Sequence, residues 1–159
     1  IRRNRKQWWK DGRSRITALD ADTGEVRWQQ KSRVLPLTLA VEDGSLIYHD
    51  GKQVVCREAD SGRQRWTSAP LGRTDKLFSF FGPSLVIHDD TVLFAGGEES
   101  GMQTGSWLEK DDSMAALSLE SGEVLWRGSH PPSGYRSPED LFAVGDRVYA
   151  GKTTSGHIE

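Results

Sequence analysis

Eleven residues recur three times in register along this chain: Ala18-Leu19-Asp20-Ala21-Asp22-Thr23-Gly24-Glu25-Val26-Arg27-Trp28, then Cys56 to Trp66, then Ala116 to Trp126. Each copy opens on a small residue and places a polar residue two positions on. A Thr-Gly or Ser-Gly pair follows, and a tryptophan stands four residues after the glycine. Recurrence of this kind marks a supersecondary unit that cannot bury its own apolar face and is stacked on copies of itself. It constrains the fold strongly and says little about chemistry, because a scaffold repeat describes how a core is made and not what sits on it.

The physics of one copy is that of a hairpin. The runs Ile16-Thr17-Ala18-Leu19, Val54-Val55-Cys56 and Met114-Ala115-Ala116-Leu117 fit strands with a face in a core. Each is followed by a turn, Asp22-Thr23-Gly24, Asp60-Ser61-Gly62 or Glu120-Ser121-Gly122. There glycine supplies a positive φ and the hydroxyl satisfies turn backbone groups. The chain returns through a strand that carries Trp28, Trp66 or Trp126 at one fixed register. An indole of this size buries on the order of 150–250 Å² and needs a partner for its N–H, which suits a wedge between neighbouring sheets.

A second kind of hairpin precedes two of these. Leu39-Ala40-Val41, Glu42-Asp43-Gly44 and Ser45-Leu46-Ile47-Tyr48 read as strand, turn and strand. Leu85-Val86-Ile87, His88-Asp89-Asp90 and Thr91-Val92-Leu93-Phe94 read the same way. A further copy, Leu141 to Val144, Gly145-Asp146 and Arg147 to Ala150, is not followed by its tryptophan hairpin. Two hairpins in series make a four-stranded antiparallel sheet, and such sheets set radially make a propeller.

The Ala-x-Asp-x-x-Thr-Gly-x-x-x-Trp pattern of Ala18 to Trp28 resembles, at every defined position, the tryptophan-docking motif of the pyrroloquinoline-quinone-like (quinoprotein-type) β-propeller repeat. The other two copies keep Gly and Trp but place Cys56 for Ala, Glu58 and Ser118 for Asp, and Ser61 and Ser121 for Thr. The resemblance runs from about Trp8 to Gly151. It implies an all-β propeller fragment of four-stranded antiparallel blades. Its docking residues are Ala18, Asp20, Thr23, Gly24, Trp28, Cys56, Ser61, Gly62, Trp66, Ala116, Ser121, Gly122 and Trp126. The three tryptophans are expected to occupy equivalent surroundings.

A propeller needs at least ~4 blades, so 159 residues are expected to hold only part of one. Residues 1–30 read as the second half of a blade, 31–68 as a full blade, 69–128 as a full blade with an inserted loop at 97–112, and 129–159 as the first half of another. The chain opens without methionine and stops where another hairpin is due, which reads as a fragment whose partners are the remaining blades of its own protein.

A formal net charge of −2 argues against a nucleic-acid binder. Arg2, Arg3, Arg5, Lys6, Lys10, Arg13 and Arg15 crowd the start, where Trp8 and Trp9 lead through Lys10 to Arg13 toward Ile16. They read as a solvated strand and turn rather than a phosphate-binding arm. The single cysteine, Cys56, stands where the repeat wants a small buried residue and is expected to be an inert thiol. No apolar run approaches the ~20 residues that span a bilayer, and no signal peptide is visible. The resemblance implies the periplasm or cell envelope, since many such propellers are exported there in bacteria.

Catalytic signatures are weak. The resemblance raises the prospect of pyrroloquinoline quinone and calcium. In quinoprotein dehydrogenases these lie on the propeller axis, held by residues of several blades, a catalytic Asp and often adjacent cysteines. With one Cys and one Asn, Asn4, no such set can be placed here. No cofactor is expected in this fragment, while quinone and calcium stay open for the full protein. His49, His88, His130 and His157 show no ligand spacing and read as solvated loop residues, His49 after a strand and His88 within a turn. The acid pairs Asp89-Asp90, Glu98-Glu99 and Asp111-Asp112 lack calcium-loop spacing. No Gly-x-Ser-x-Gly elbow or phosphate loop is present. Two loops depart from the repeat, Gly97 to Asp112 with Met102 and Trp107, and the Pro-rich Ser129 to Asp140. Each is a place where binding can reside, or simply a brace.

The expected role is therefore a non-catalytic scaffold or binding module of a larger exported protein. The alternatives are part of a quinone-dependent alcohol or sugar dehydrogenase, an assembly factor similar to the propeller lipoprotein of the outer-membrane β-barrel insertion machinery, and a propeller that positions substrate or partner for an attached enzymatic domain.

Overall fold

The computed structural model describes residues 14–35, 38–71, 83–96, 114–128 and 141–150. Every regular element among them is a strand, and every pairing is antiparallel between neighbours in sequence. The tryptophan hairpin β1 (Arg15–Leu19) and β2 (Val26–Lys31) forms a two-stranded sheet. A four-stranded meander follows: β3 (Ala40–Glu42), β4 (Ser45–His49), β5 (Val54–Glu58) and β6 (Gln64–Thr67). The second meander is β7 (Ser84–His88), β8 (Thr91–Ala95), β9 (Met114–Ser118) and β10 (Val124–Gly128). The last pair is β11 (Leu141–Val144) and β12 (Arg147–Ala150). Both β3 and β11 lie against β7, so the first strands of successive sheets face one another around a common hub. This is the all-β arrangement of part of a propeller.

The two kinds of hairpin are made differently. In the first kind the turn is two residues long, and at Asp43-Gly44 both residues hold positive φ, 45° and 70°. Such a turn matches the right-handed twist of its strands, and Gly or Asp tolerates the backbone it demands. In the tryptophan hairpins one residue ahead of each indole is left over from the pairing: Arg27, Arg65 and Leu125. A bulge at one position in all three copies swings the tryptophan out of simple alternation and increases local twist.

Burial follows the layering. All five residues of β4 are buried, because its sheet is covered on both faces. The outer strands β6 and β10 are largely exposed. Three apolar clusters sit between consecutive sheets. Ile16, Leu46, Tyr48 and Val55, with Trp28 against them, join β1–β2 to the first meander. Ile47, Cys56, Val92, Phe94 and Leu117, with Trp66 against them, join the two meanders. Leu93, Ala95, Met114, Ala116 and Leu141 join the second meander to β11–β12. Burial at these seams, at roughly 25 cal/mol per Å² of apolar surface, is what orients each sheet against the next.

Candidate functional site

The residues singled out by the repeat come together as docks between sheets. The turn of each tryptophan hairpin is built locally. Asp20 N–H donates to Glu25 O at 2.8 Å and Gly24 N–H to Asp20 O at 2.9 Å, and Glu58/Arg63/Gly62 and Ser118/Glu123/Gly122 repeat the arrangement. The polar residue two after the small one then caps the turn. Asp20 Oδ1 accepts from the backbone of Asp22 and Thr23 and from Thr23 Oγ1, at 3.1, 2.9 and 3.0 Å. Glu58 accepts from Ser61 Oγ at 2.7 Å, and Ser118 Oγ accepts from Ser121 N–H at 3.3 Å. A cation completes the first two turns, Arg27 of β2 pairing with Asp20 and Arg63, just ahead of β6, with Glu58. The Arg27 guanidinium and the turn donors lower Asp20 to about 2, and Arg63 together with Ser61 does the same for Glu58. Half-buried and held ionised by these donors, the two carboxylates shape a turn and stay charged at neutral pH.

Each turn is a seat for the preceding tryptophan. The Trp28 indole lies on Gly62, where an added Cβ would stand only 2.8 Å from the ring, and its N–H donates to Ala59 O at 2.8 Å. Trp66 lies on Gly122, closer still, and donates to Leu119 O at 3.0 Å. Both glycines are buried and hold φ of 71° and 75°, so the glycine serves the backbone and the close approach at once. Trp126 departs from the expected equivalence. It is 43% exposed, and its ring lies over Gly128 of its own strand. Among the described residues no following turn reaches it, and that is the physical reason for its different surroundings. Ala18 is half-buried, whereas Cys56 and Ala116 are fully buried.

Cys56 is free and enclosed, and burial pushes its thiol above the ordinary range. Two histidines correct the sequence reading. His49 ends β4 and is fully buried rather than solvated. Its Nε2 is 2.7 Å from Leu71 O, and Nδ1 accepts from Gly51 N–H at 3.0 Å. The ring stacks on Phe94 of the next meander, with centroids 4.7 Å apart. Acceptance at Nδ1 fixes the tautomer with its proton on Nε2, and burial lowers its pKa from 6.5 despite the favourable Leu71 carbonyl. His88 ends β7 rather than lying in the turn, and its Nε2 is 2.8 Å from Gly145 O across the neighbouring hairpin. The sequence reading also missed a polar tie at the first dock. Arg57 donates to Tyr48 Oη and to Gly62 O, both at 2.9 Å, while Tyr48 Oη is 2.7 Å from Ser32 Oγ of the preceding segment. Arg57 lies on the exposed end of a buried strand, and no spacing rule signals such a role.

Among the described residues no three His, Cys, Asp or Glu side chains gather in a way that holds a metal ion. Asp89-Asp90 forms the β7–β8 turn, with Asp89 at φ 48°. The loops 97–112 and 129–140, the basic residues before Arg15, the Trp8-Trp9 segment, Glu98-Glu99, Asp111-Asp112, His130 and His157 lie outside the described residues. No helix among the described residues is long and apolar enough to cross a membrane.

Comparison with protein families returned a match over residues 12–158 to the pyrroloquinoline-quinone-like repeat model described as outer membrane protein assembly factor BamB. The chain belongs to this family. A crystal structure of BamB from Moraxella catarrhalis superposes with a TM-score of 0.52 at 20% identity, over 89% of this chain and 38% of that one. At that identity the likeness supports the fold alone. The chain thus spans well under half the length of this BamB-like neighbour. A comparison with curated proteins gave no match.

Proposed function

We propose that this chain is a non-catalytic propeller scaffold that holds a protein partner in outer membrane protein assembly at the cell envelope. The observation that carries the reading is the family match across 12–158, to a model described as an outer membrane protein assembly factor. The use of the motif supports it. Asp20, Thr23, Glu58, Ser61, Ser118 and Ser121 are spent on closing turns, and Gly62 and Gly122 on receiving indoles. A scaffold of stacked sheets presents loop ends and strand edges to a partner without needing a converging set of reactive groups.

The test is direct binding. The purified chain, immobilised, is exposed to a urea-unfolded outer-membrane β-barrel protein diluted from denaturant and, separately, to the purified barrel-insertion complex. Saturable binding to either, absent with an unrelated propeller, is the expected result. Absence of binding to both overturns the reading. So does dye-coupled oxidation of alcohols or sugars on adding pyrroloquinoline quinone and calcium, which would move the protein to the dehydrogenases.

A further inference from the structure

The seam between the two meanders is fastened by an aromatic ring at each end, and only one of the two rings can take a proton. At one end Trp66 lies on Gly122 and donates to Leu119 O in the β9–β10 turn. Leu119 N–H is itself tied at 2.8 Å to Asp90 O in the β7–β8 turn, so this is the end at which first strands turn back. An indole resting on a glycine offers nothing that titrates. β4 runs away from that end and finishes on His49, whose ring stacks on Phe94 of β8, the planes within 11° of parallel.

His49 is engaged on every side. Its backbone N–H donates to Thr38 Oγ1 at 3.1 Å, and its carbonyl accepts from Leu35 N–H at 2.9 Å. In the ring, Nδ1 accepts from Gly51 N–H and Nε2 donates to Leu71 O. Leu71 N–H in turn donates to Lys52 O at 2.9 Å, and Leu71 lies in the same apolar cluster as Phe94. One ring therefore joins the β4–β5 turn, the segment that leaves β6 and the next meander. A proton on Nδ1 turns an acceptor into a donor aimed at another donor, Gly51 N–H, on a side chain with no exposure to water. The charged ring has to leave its place to be solvated.

The surrounding groups give little relief. Asp50 favours the imidazolium, but its Oδ1 is already engaged by Lys52 N–H and Gln53 N–H at 2.8 and 3.0 Å. Lys52, exposed on the same turn, is of the opposite sign. β8 and the segment from Ser68 to Leu71 carry no charged residue, and on β5 Arg57 and Glu58 stand at the far end. Cys56 in the same cluster is a neutral thiol. Burial outweighs Asp50 and holds the His49 pKa below 6.5. At the equivalent position of the second meander stands Ala95, so the feature belongs to this one seam.

We propose that the seam between the meanders is an acid-sensitive hinge: on acidification His49 leaves Phe94, the β4–β5 turn and Leu71 come away with it, and the meanders swing about the Trp66 dock, which holds. The direction follows from linkage. A released ring titrates near the ordinary 6.5 and the enclosed ring below it, so opening takes up a proton. The closed seam is fully favoured above about pH 6.5. It loses up to about tenfold per pH unit below that, until the enclosed ring is itself protonated.

The experiment is amide hydrogen exchange resolved by residue on the full chain, from about pH 7 to about pH 5, with each rate divided by that of an unstructured chain at the same pH. Opening at Gly51 and Leu71 is expected to rise about tenfold, while Ala59, Gly62, Leu119 and Gly122 keep their protection. Cys56, paired with Trp66 across β5 and β6, stays unreactive toward dithiodipyridine throughout, which separates a hinge from unfolding. His49→Gln places an amide that does not titrate, and its exchange at Gly51 and Leu71 is expected to be flat over the same range. If that variant does not fold, nuclear magnetic resonance of the wild-type ring decides. The Nε2–H tautomer and the protection of Gly51 must then be lost at one shared midpoint below pH 6.5. Flat protection in the wild type, the same acid response in His49→Gln, or separate midpoints overturn the proposal. So does loss of protection at Leu119 and Gly122 together with a reactive Cys56. None of these results depends on the barrel-assembly reading.

Discussion

Gly62 and Gly122 lie buried under indole rings, whereas Gly24, with the same left-handed backbone, faces open space. The three turns nonetheless close with the same backbone hydrogen bonds, within a few tenths of an ångström of one another. The comparison separates two contributions that the motif combines. The turn is local: Asp20, Thr23 and Gly24 form it whether or not a tryptophan arrives. The dock is non-local: it exists only where the next sheet is present, and it fixes how one blade stands on another. Repeat proteins owe their cooperativity to such nearest-neighbour seams rather than to the intrinsic stability of one repeat.

The largest effect should therefore distinguish tryptophans of identical motif position. Trp66→Ala removes the wedge between the two complete meanders and leaves Leu119 O without its donor. A cost of about 3 kcal/mol is expected in denaturant unfolding, the low end for aromatic truncations because the ring is half-buried. Trp126→Ala removes a ring that rests mainly on its own strand and should cost about 1 kcal/mol or less. Equal losses would break the comparison and mean that the docks are not what joins the blades.

Glycine substitutions sharpen the same contrast with backbone strain held constant. Gly24→Ala and Gly122→Ala both force a left-handed residue, at roughly 1–2 kcal/mol. Only at Gly122 does the new methyl also strike an indole, that of Trp66. The expected cost is about 1 kcal/mol at Gly24 and about 3 kcal/mol at Gly122, the excess being displacement of a packed ring. Thermal unfolding of both variants measures the difference directly. An excess at Gly122 that persists in a Trp66→Ala background would show that the clash lies elsewhere.

Most of the fold was legible because its signals are local or periodic. The spacing Gly24 to Trp28, repeated at Gly62 to Trp66 and Gly122 to Trp126, announces the hairpins, and the Asp43-Gly44 turn announces the pairing before it. What the sequence did not disclose is what depends on three-dimensional neighbours. The bulges at Arg27, Arg65 and Leu125 follow from no residue preference, since the three side chains have little in common. The seat of an indole is set by the next blade, so Trp126 could not be told from Trp28 by its own repeat. His49 read as solvated because a histidine ending a strand before Asp50-Gly51 has the look of a loop residue. Its burial depends on Phe94 and Leu71, which are remote in sequence.

His49 also shows that the two complete meanders are not interchangeable, for the matching position in the second is Ala95, opposite Met114 as His49 is opposite Val54. Holding a histidine there requires it to stay neutral, since Nδ1 accepts from Gly51 N–H and has no room for a proton. Its pKa is lowered from 6.5, chiefly by burial, with the Asp50 charge opposing. The unfolded chain then binds a proton more readily than the folded one. Stability contributed by the neutral ring is complete above about pH 6.5 and falls as pH drops below it, until the folded form is itself protonated. His49→Phe preserves an aromatic stack on Phe94 but removes the ring nitrogens that meet Gly51 N–H and Leu71 O, at an expected cost of about 2 kcal/mol near neutral pH. The gap between wild type and variant should narrow as pH falls from 7 toward 5, because the variant has no proton to resist. Parallel unfolding curves across that range, with a constant gap, would mean that His49 acts through shape alone and that the first meander owes nothing to its protonation state.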